Sequence, residues 1–248
     1  MASMFITGGS AGLGAETARQ AAARGYDVGI SYRSDRDGAE SVVAEVRRQG
    51  QSAELFQGDV SSASDCARMM ETHVSAFGPP DVAVLNAGIV PPRLRSLADA
   101  DPAEIERVVA VNTTGLLFVA REAARVMPHA AGGRGGSIIV MGSVATRIGS
   151  AFEFVDYAAS KAACDALVLG LAKELGPDGV RVCGIRPGLI DTEIHAKGGA
   201  PDRADRLGAQ MPLGRAGTAR EVAEAVLFLA SDASSYTTGT WLDIAGGR

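Results

Sequence analysis

Three polar residues in the second half of the chain have the types and spacing of a proton-transfer site. Tyr157 and Lys161 lie four residues apart, so a helix places them on one face, and Ser143 lies fourteen residues before the tyrosine. A free tyrosine has a pKa of ~10 and is a poor base near neutral pH, but an ammonium a few ångströms away stabilises the phenolate. A serine hydroxyl can bind the same substrate oxygen. We therefore predict that Ser143, Tyr157 and Lys161 are catalytic, with Tyr157 as the general acid/base.

A tyrosine-lysine pair at this spacing also arises by chance on the surface of a helix, so its weight comes from a second feature near the start of the chain. Gly8, Gly12 and Gly14 follow an apolar strand-like segment and precede a helical one, with Ser10 and Leu13 between them. Glycines let the backbone approach a pyrophosphate closely, and a helix N-terminus supplies free N–H donors. The segment predicts a dinucleotide site, and a dinucleotide beside the tyrosine predicts hydride transfer.

The end of the second predicted strand indicates which dinucleotide is bound. An acidic residue at this position favours NAD, because it binds the adenine ribose hydroxyls. Here Tyr32 stands in the acidic position and is followed by Arg33 and Ser34. A guanidinium matches a 2′-phosphate in charge and geometry, which favours NADP(H). Asp35 and Asp37 reduce the local positive charge, so NAD stays possible, and a solvated loop arginine is the alternative interpretation of Arg33.

Apolar strand-like segments alternate with amphipathic helical segments along the chain. Strands are predicted at residues 4–7, 27–31, 53–56, 81–85, 137–141, 180–185 and 240–244, and helices at 12–24, 38–49, 103–126, 157–175 and 219–230. This alternation predicts an α/β fold with a doubly wound, Rossmann-type sheet of about seven parallel strands and helices on both faces. Such sheets bind ligands at the carboxyl ends of their strands, where the residues above fall.

The chain shows no linker or internal repeat, so we predict a single domain over residues 1–248. Residues 191–211 are polar, contain glycine and lack periodicity, which predicts an irregular, mobile flap over the substrate. The loop of residues 147–154 and the flap decide the substrate, and neither has a readable motif. Phe152, Glu153 and Phe154 are candidates for the pocket wall, with core or loop packing as the alternative, and His195 in the flap is a further candidate. Sugars, keto esters, steroids and acyl-thioester ketones all remain open as substrates.

The composition limits the partners and the location of the protein. Hydrophobic residues make up 46% of the chain and charged residues 21%, which is enough for a large core. The net charge of −5 argues against a nucleic-acid partner. Three widely spaced cysteines predict free thiols and a reducing, cytoplasmic location, and no apolar segment is long enough to predict a membrane span. No metal-binding motif is present, so no metal is expected.

These residues together resemble the short-chain dehydrogenase/reductase family over essentially the whole chain. Besides residues 7–14, Ser143, Tyr157 and Lys161, the matching positions are Asp59, Val60, Asn86, Ala87, Gly88, Asn112, Pro187, Gly188 and Thr192. The tail of residues 212–247 is similar to the bacterial 3-oxoacyl carrier-protein reductases and glucose dehydrogenases. Residues 32–34 are closer to the glucose dehydrogenases.

The resemblance implies a role for each matching residue. The adenine would contact Asp59 and Val60, the ribose region would be lined by Asn86, Ala87 and Gly88, and the carboxamide and pyrophosphate would meet the segment that contains Pro187, Gly188, Ile190 and Thr192. Tyr157 and Lys161 would also touch the cofactor, with Lys161 on the nicotinamide ribose. Asn112 would hold a water that connects Lys161 to solvent, although an asparagine inside a helix can instead bond its own backbone. The family also implies a homotetramer built on the helices that contain Asn112 and Tyr157.

Two departures from the family pattern leave specific points open. The gap between Ser143 and Tyr157 is one residue longer than the commonest family spacing, and Ala11 stands where many NADP-using members have a basic residue. A regulatory or scaffold protein that binds NAD(P) without turnover is the alternative function. The larger epimerases and dehydratases related to this family are less suitable, because only 87 of the 248 residues follow Lys161.

Overall fold

A seven-stranded parallel sheet lies at the centre of the protein in a computed structural model that describes residues 2–248. Its strands run in the order β3-β2-β1-β4-β5-β6-β9. Their bounds are β1 (Ser3–Ile6), β2 (Asp27–Tyr32), β3 (Ala53–Gln57), β4 (Val82–Leu85), β5 (Gly136–Met141), β6 (Val180–Pro187) and β9 (Thr240–Ile244), while β7 (Ile190–Asp191) and β8 (Gly217–Thr218) pair separately. The predicted doubly wound sheet is confirmed.

Helices cover both faces of this sheet. They are α1 (Gly12–Ala23), α2 (Arg36–Arg48), α3 (Ala63–Phe77), α4 (Pro102–Val109), α5 (Leu116–Val126), α6 (Ala145–Ile148), α7 (Val155–Leu175), α8 (Ile194–Lys197), α9 (Arg203–Gly208) and α10 (Ala219–Ala230). One hydrophobic cluster joins the sheet to α1, α2 and α10, and a second joins it to α3, α5 and α7. Successive side chains of β1 alternate between them, with Met4 and Ile6 in the first and Phe5 in the second.

The helix predicted at residues 103–126 is interrupted in the structure. Between α4 and α5 the segment Ala110–Gly115 forms a π-helical turn, which contains Asn112. At Gly115 a Cβ atom would lie 2.9 Å from the carbonyl oxygen of Val60, so this turn packs closely against the segment after β3. Hydrophobic periodicity does not reveal such a turn, because the chain stays helical on both sides of it.

The segment of residues 191–211 is more regular than its sequence indicates. The expectation of an irregular segment is wrong for much of its length, since it begins at the end of β7 and contains α8 and α9. These helices are only four and six residues long and rich in polar residues, so they show no hydrophobic period. The prediction that this segment moves over a bound substrate remains a prediction.

Candidate active site

The predicted site residues meet at one edge of the sheet because β1, β4, β5 and β6 are parallel neighbours. Thr7 follows β1, Asn86 follows β4, Ser143 lies two residues after β5, and Gly188 follows β6. The strand order reverses between β1 and β4, and doubly wound sheets bind ligands at the carboxyl ends of the strands beside such a reversal.

The glycine turn between β1 and α1 has a backbone that only glycine adopts readily. Gly8 and Gly12 have φ angles of +67° and +54°, in the left-handed region. At Gly14 a Cβ atom would lie 2.3 Å from the carbonyl oxygen of Gly8, so no side chain fits there. Ala11 caps α1 without a side-chain hydrogen bond, which leaves the first N–H groups of the helix without this common partner. The turn therefore fits a phosphate group.

The segment after β4 holds the glycine turn in place. The backbone N–H groups of Asn86 and Ala87 donate to the Thr7 hydroxyl over 3.0 and 3.1 Å. The Asn86 side-chain amide donates to the carbonyl oxygens of Thr7 and Gly8 over 2.9 and 3.1 Å. Ala87 and Val60 also line a small cavity with an empty volume of about 170 Å³. Asn86 thus shapes the turn, and contact between these residues and a nucleotide stays a prediction.

The segments after β2 and β3 form the predicted adenosine end of the site. Tyr32 is only 6% exposed and packs in the core, whereas Arg33 and Ser34 are exposed. The guanidinium of Arg33 lies 3.9 Å from the carboxylate of Asp59. Arg107 of α4 donates to the same carboxylate over 2.7 Å. Contact of Arg33 with a 2′-phosphate stays a prediction, as does a role for the Tyr32 side chain.

Asp59 is held as a carboxylate by its neighbours. Burial opposes its ionisation, but hydrogen bonds from Ser61 and Arg107 outweigh this effect and lower the pKa of Asp59 to about 2. The contact with Arg107 was not foreseen from the sequence, since 48 residues separate the partners and no local motif joins them.

The ammonium of Lys161 is buried at the end of β5. It donates a hydrogen bond of 2.7 Å to the backbone carbonyl of Met141, the last residue of β5, and the residue is only 5% exposed. Ser143 lies two residues further on, and its hydroxyl oxygen accepts a hydrogen bond of 3.1 Å from the N–H of Ala145. The hydroxyl hydrogen can still donate to a substrate oxygen. Ser143 and Tyr157 line one cavity.

Asn112 connects the π-helical turn to the segment after β4. Its side-chain oxygen accepts from the N–H of Ile89 over 2.8 Å, and its NH₂ group donates to the Ile89 carbonyl and the Ser160 hydroxyl over 2.9 and 3.0 Å. A Cβ atom on Gly88 would lie 3.2 Å from Nζ of Lys161 and 3.3 Å from Oδ1 of Asn112. Asn112 is thus bonded to other elements rather than to its own helix. The water relay stays a prediction.

The cavity beside Ser143 and Tyr157 is the natural place for a substrate. It has an empty volume of about 660 Å³. Phe154, Leu189 and Ile194 contribute apolar surface, and the polar side chains in the lining include Glu153, His195 and Arg203. The candidates Glu153, Phe154 and His195 therefore do lie in the cavity wall. Phe152, by contrast, is 82% exposed and does not line it.

The loop between Ser143 and Tyr157 contains α6 and a tight turn. Ser150 and Phe152 both have left-handed φ angles, 46° and 59°, which non-glycine residues rarely adopt. His195, which lines the same cavity, is held by a hydrogen bond to the backbone of another residue, because its Nε2 lies 2.8 Å from the carbonyl oxygen of Ile190. Burial lowers the pKa of His195 despite this hydrogen bond, so its ring is neutral near pH 7.

A buried ion pair supports the start of α7. The guanidinium of Arg95 donates to both carboxylate oxygens of Asp156 over 3.2 and 3.0 Å, and to Glu104 over 3.0 Å. The side chains of Arg95 and Asp156 are each 3% exposed. Asp156 directly precedes Tyr157. The pair was not foreseen, because a sequence shows the charges but not their burial.

Within residues 2–248, no helix is long and apolar enough to cross a membrane. The same residues contain no group of three or more His, Cys, Asp or Glu side chains that could hold a metal ion.

Both the sequence and the fold are similar to those of known proteins. A family model described as enoyl-(acyl carrier protein) reductase matches residues 8–248. The chain is 40% identical to the uncharacterized oxidoreductase YgfF of Escherichia coli over the full length of both. It is 35% identical to an L-rhamnose 1-dehydrogenase (NAD(P)(+)) of a Sphingomonas species, over 98% of this chain and 94% of the relative.

A solved structure agrees with these relatives. A short-chain dehydrogenase from Burkholderia cenocepacia in complex with NADP matches with a TM-score of 0.88 and 35% identity, over 98% of this chain and 96% of that one. The chain therefore belongs to the short-chain dehydrogenase/reductase family. The predictions of this family, of its Rossmann-type fold and of an oxidoreductase are confirmed.

Proposed function

We propose that the protein is an NADP(H)-preferring oxidoreductase that transfers hydride between the nicotinamide and a carbonyl or secondary alcohol substrate. The observation that carries this proposal is the position of Ser143 and Tyr157 in one cavity, with the buried ammonium of Lys161 at the end of β5. The glycine turn of Gly8, Gly12 and Gly14 lies at the same edge of the sheet.

The residues present fit the cofactor. The α1 N-terminus would hold the pyrophosphate, and Thr192 lies next to this turn, because a Cβ atom on Gly12 would be 3.9 Å from its Cβ. The exposed guanidinium of Arg33 would bind the 2′-phosphate, which favours NADP(H). The similarity to a structure in complex with NADP supports this preference, and the similarity to an enzyme named for NAD(P)⁺ keeps NAD as a second cofactor.

Four side chains of the site have separate roles in the proton transfer. The nicotinamide, when bound, supplies or accepts the hydride. In the reductive direction Tyr157 donates a proton to the substrate oxygen, and in oxidation it removes this proton. Ser143 donates a hydrogen bond to the same oxygen and stabilises the charge that develops on it. Lys161 favours the phenolate by its positive charge, and Asn112 supports the return of the proton.

The proposed turnover is tested by incubating the protein with a panel of ketones, sugars and quinones in two parallel assays, one with NADPH and one with NADH. Loss of the nicotinamide absorbance with at least one carbonyl compound, and faster loss with NADPH, is the expected result. Binding of NADPH without consumption across the panel would instead indicate the regulatory or scaffold protein. Consumption of stoichiometric NADPH excludes internal redox recycling of the epimerase type.

A homotetramer is part of the same proposal. Large apolar side chains are exposed on the two helices that flank Asn112 and on the helix that contains Tyr157, namely Val109 of α4, Leu117 of α5 and Leu169 of α7, at 40%, 48% and 50% exposure. Burial of such side chains between copies is favourable. Light scattering after size-exclusion chromatography should give four times 25.4 kDa, and Leu169→Glu should lower that mass. A cytoplasmic location also stays a prediction, supported by the three buried free cysteines.

A further inference from the structure

The substrate cavity contains an ion pair that the proton chemistry does not use. Nη1 and Nη2 of Arg203 donate to the two carboxylate oxygens of Glu153 over 2.8 and 2.6 Å. The Arg203 side chain is only 8% exposed, and the Glu153 side chain is 27% exposed. Both residues line the cavity that Ser143 and Tyr157 share. A substrate bound at Tyr157 therefore lies in the same cavity as this pair.

The carboxylate of Glu153 has hydrogen-bonding capacity that Arg203 does not use. A carboxylate has two oxygens with about four acceptor sites, and the guanidinium occupies one site on each oxygen. The hydrogen bonds from Arg203 lower the pKa of Glu153 despite its partial burial, so the group is ionised near pH 7. Glu153 lines the cavity and its side chain is 27% exposed, so these acceptor sites are open to a bound molecule. A donor group of the substrate can occupy one of them, whereas a bound apolar group displaces water and leaves the acceptor unpaired.

The chemistry of the pair also limits the substrate. Glu153 and Arg203 are neutral together, the ring of His195 is neutral, and Arg248, which also lines the cavity, adds a positive charge near Glu153. A hydroxyl group satisfies the acceptor without bringing a charge, whereas an alkyl group leaves it unsatisfied.

We propose that Glu153, fixed by Arg203, accepts a hydrogen bond from a substrate hydroxyl group, so that the enzyme acts on hydroxylated carbonyl or alcohol compounds rather than purely apolar ones. This inference rests on the proposed function and deepens it. Glu153 is then a specificity-determining residue, and Arg203 positions it.

The test compares pairs of ketones in which a methyl group replaces the hydroxyl group. NADPH consumption is measured with the 3- and 4-isomers of hydroxycyclohexanone and of methylcyclohexanone, for the wild type and for variants. The hydroxy-over-methyl ratio of kcat/KM should fall by about tenfold or more in the double variant Glu153→Leu/Arg203→Met, since a hydrogen bond to a charged group is lost. The double variant leaves no unpaired buried charge. Comparing the variant with the wild type cancels the intrinsic reactivity of each ketone.

Two further variants complete the design. Glu153→Gln keeps the size of the side chain but removes its charge, and it should lower the same ratio less strongly. Glu224→Gln removes a carboxylate from an exposed ion pair, in which the side chains of Arg24 and Glu224 are 45% and 42% exposed. This variant should leave the ratio unchanged. Circular dichroism and NADPH fluorescence establish that each variant is folded and binds the cofactor.

Each other outcome overturns the inference in a recognisable way. An equal loss for hydroxy and methyl ketones means that the pair only holds α9 against the turn before α7. An unchanged ratio means that Glu153 does not contact the hydroxyl group. NADPH consumption with none of the ketones contradicts the proposed function itself, which separates that failure from the others.

Discussion

The ammonium of Lys161 donates a 2.7 Å hydrogen bond to the carbonyl of Met141, the last residue of the strand that precedes Ser143. This bond connects α7, which contains Tyr157, to β5. It fixes the buried ammonium at the carboxyl edge of the sheet, and it leaves two of the three ammonium hydrogens for other acceptors. Lys161 can therefore donate to the predicted nicotinamide ribose and still place its positive charge near the tyrosine.

Lys161→Met should lower kcat and also weaken cofactor binding, because it removes the charge that favours the phenolate and the donors for the ribose. We expect a loss of about 100-fold or more in kcat/KM, as for other general acid–base groups. Steady-state rates with varied NADPH measure both effects. Lys173→Met, an exposed lysine on the same helix, is the matched control and should change neither. Unaltered kcat in Lys161→Met would remove this residue from the mechanism.

Tyr157→Phe should abolish most turnover while cofactor binding persists. The substitution removes only the hydroxyl that exchanges a proton with the substrate, so the cavity wall and the glycine turn keep their shape. We expect kcat to fall by about 100-fold to 10,000-fold, the usual contribution of a positioned acid or base. Turnover is followed by nicotinamide absorbance and binding by NADPH fluorescence. Equal turnover in wild type and variant contradicts the assignment of Tyr157.

Arg33→Ser should reverse or erase the preference for NADPH over NADH. The guanidinium is the proposed partner of the 2′-phosphate, so its loss should leave NADH binding almost unchanged. The ratio of kcat/KM for NADPH to that for NADH should fall about tenfold, the usual effect of one hydrogen bond to a charged group. Arg36→Ser is the control, since that exposed arginine is paired with Glu40. A ratio that stays constant in Arg33→Ser assigns the 2′-phosphate to another residue.

The fold was predictable because strand-like and helix-like sequence segments alternate along the chain, and each segment is recognisable from its own residues. Buried parallel strands are apolar on both faces, so residues such as those of β4 stand out as short continuous apolar segments. Gly8 and Gly14 were recognisable for a similar reason, since a left-handed φ or a backbone contact allows no other residue.

The parts that sequence analysis missed depend on contacts between distant segments. Arg107 bonds Asp59, and Arg203 bonds Glu153, across 48 and 50 residues respectively. The sequence shows that these residues are charged, but the same types occur all over the surface. Only the packing of α4 and α9 determines which partner each one meets. The π-helical turn at Asn112 was missed because its hydrophobic pattern continues that of the flanking helices.

Arg95→Met should destabilise the protein strongly, because it leaves the buried carboxylate of Asp156 without its main partner. Removal of one member of a buried pair costs about 3–5 kcal/mol in unfolding free energy. The double variant Arg95→Met/Asp156→Leu should recover much of this loss, since no buried charge is then left alone. Urea denaturation measures each free energy. Arg36→Met, which breaks an exposed pair, should change it by less than about 1 kcal/mol.

His73 should make the folded state sensitive to mild acid. The ring is fully buried among Phe5, Phe56 and Phe77, and burial lowers the pKa of His73 from its ordinary 6.5 to about 4. A histidine whose pKa is lower in the folded than in the unfolded protein contributes full stability above pH 6.5. That contribution is lost progressively as the pH falls from 6.5 to 4, because only the unfolded chain binds the proton readily.

The loss assigned to His73 is about 3 kcal/mol at pH 4, which follows from a pKa lowered by between two and three pH units. His73→Gln keeps a side-chain amide near the Ser3 hydroxyl, which lies 3.3 Å from Nε2 of the histidine, but it does not titrate. Unfolding free energies measured at intervals from pH 7 to pH 4 should therefore decrease less steeply in this variant than in the wild type, whatever its stability at pH 7. His129→Gln, at an exposed position, should keep the wild-type slope. Parallel slopes for wild type and His73→Gln contradict a neutral buried histidine, since the proton uptake on unfolding would then come from other groups such as His195.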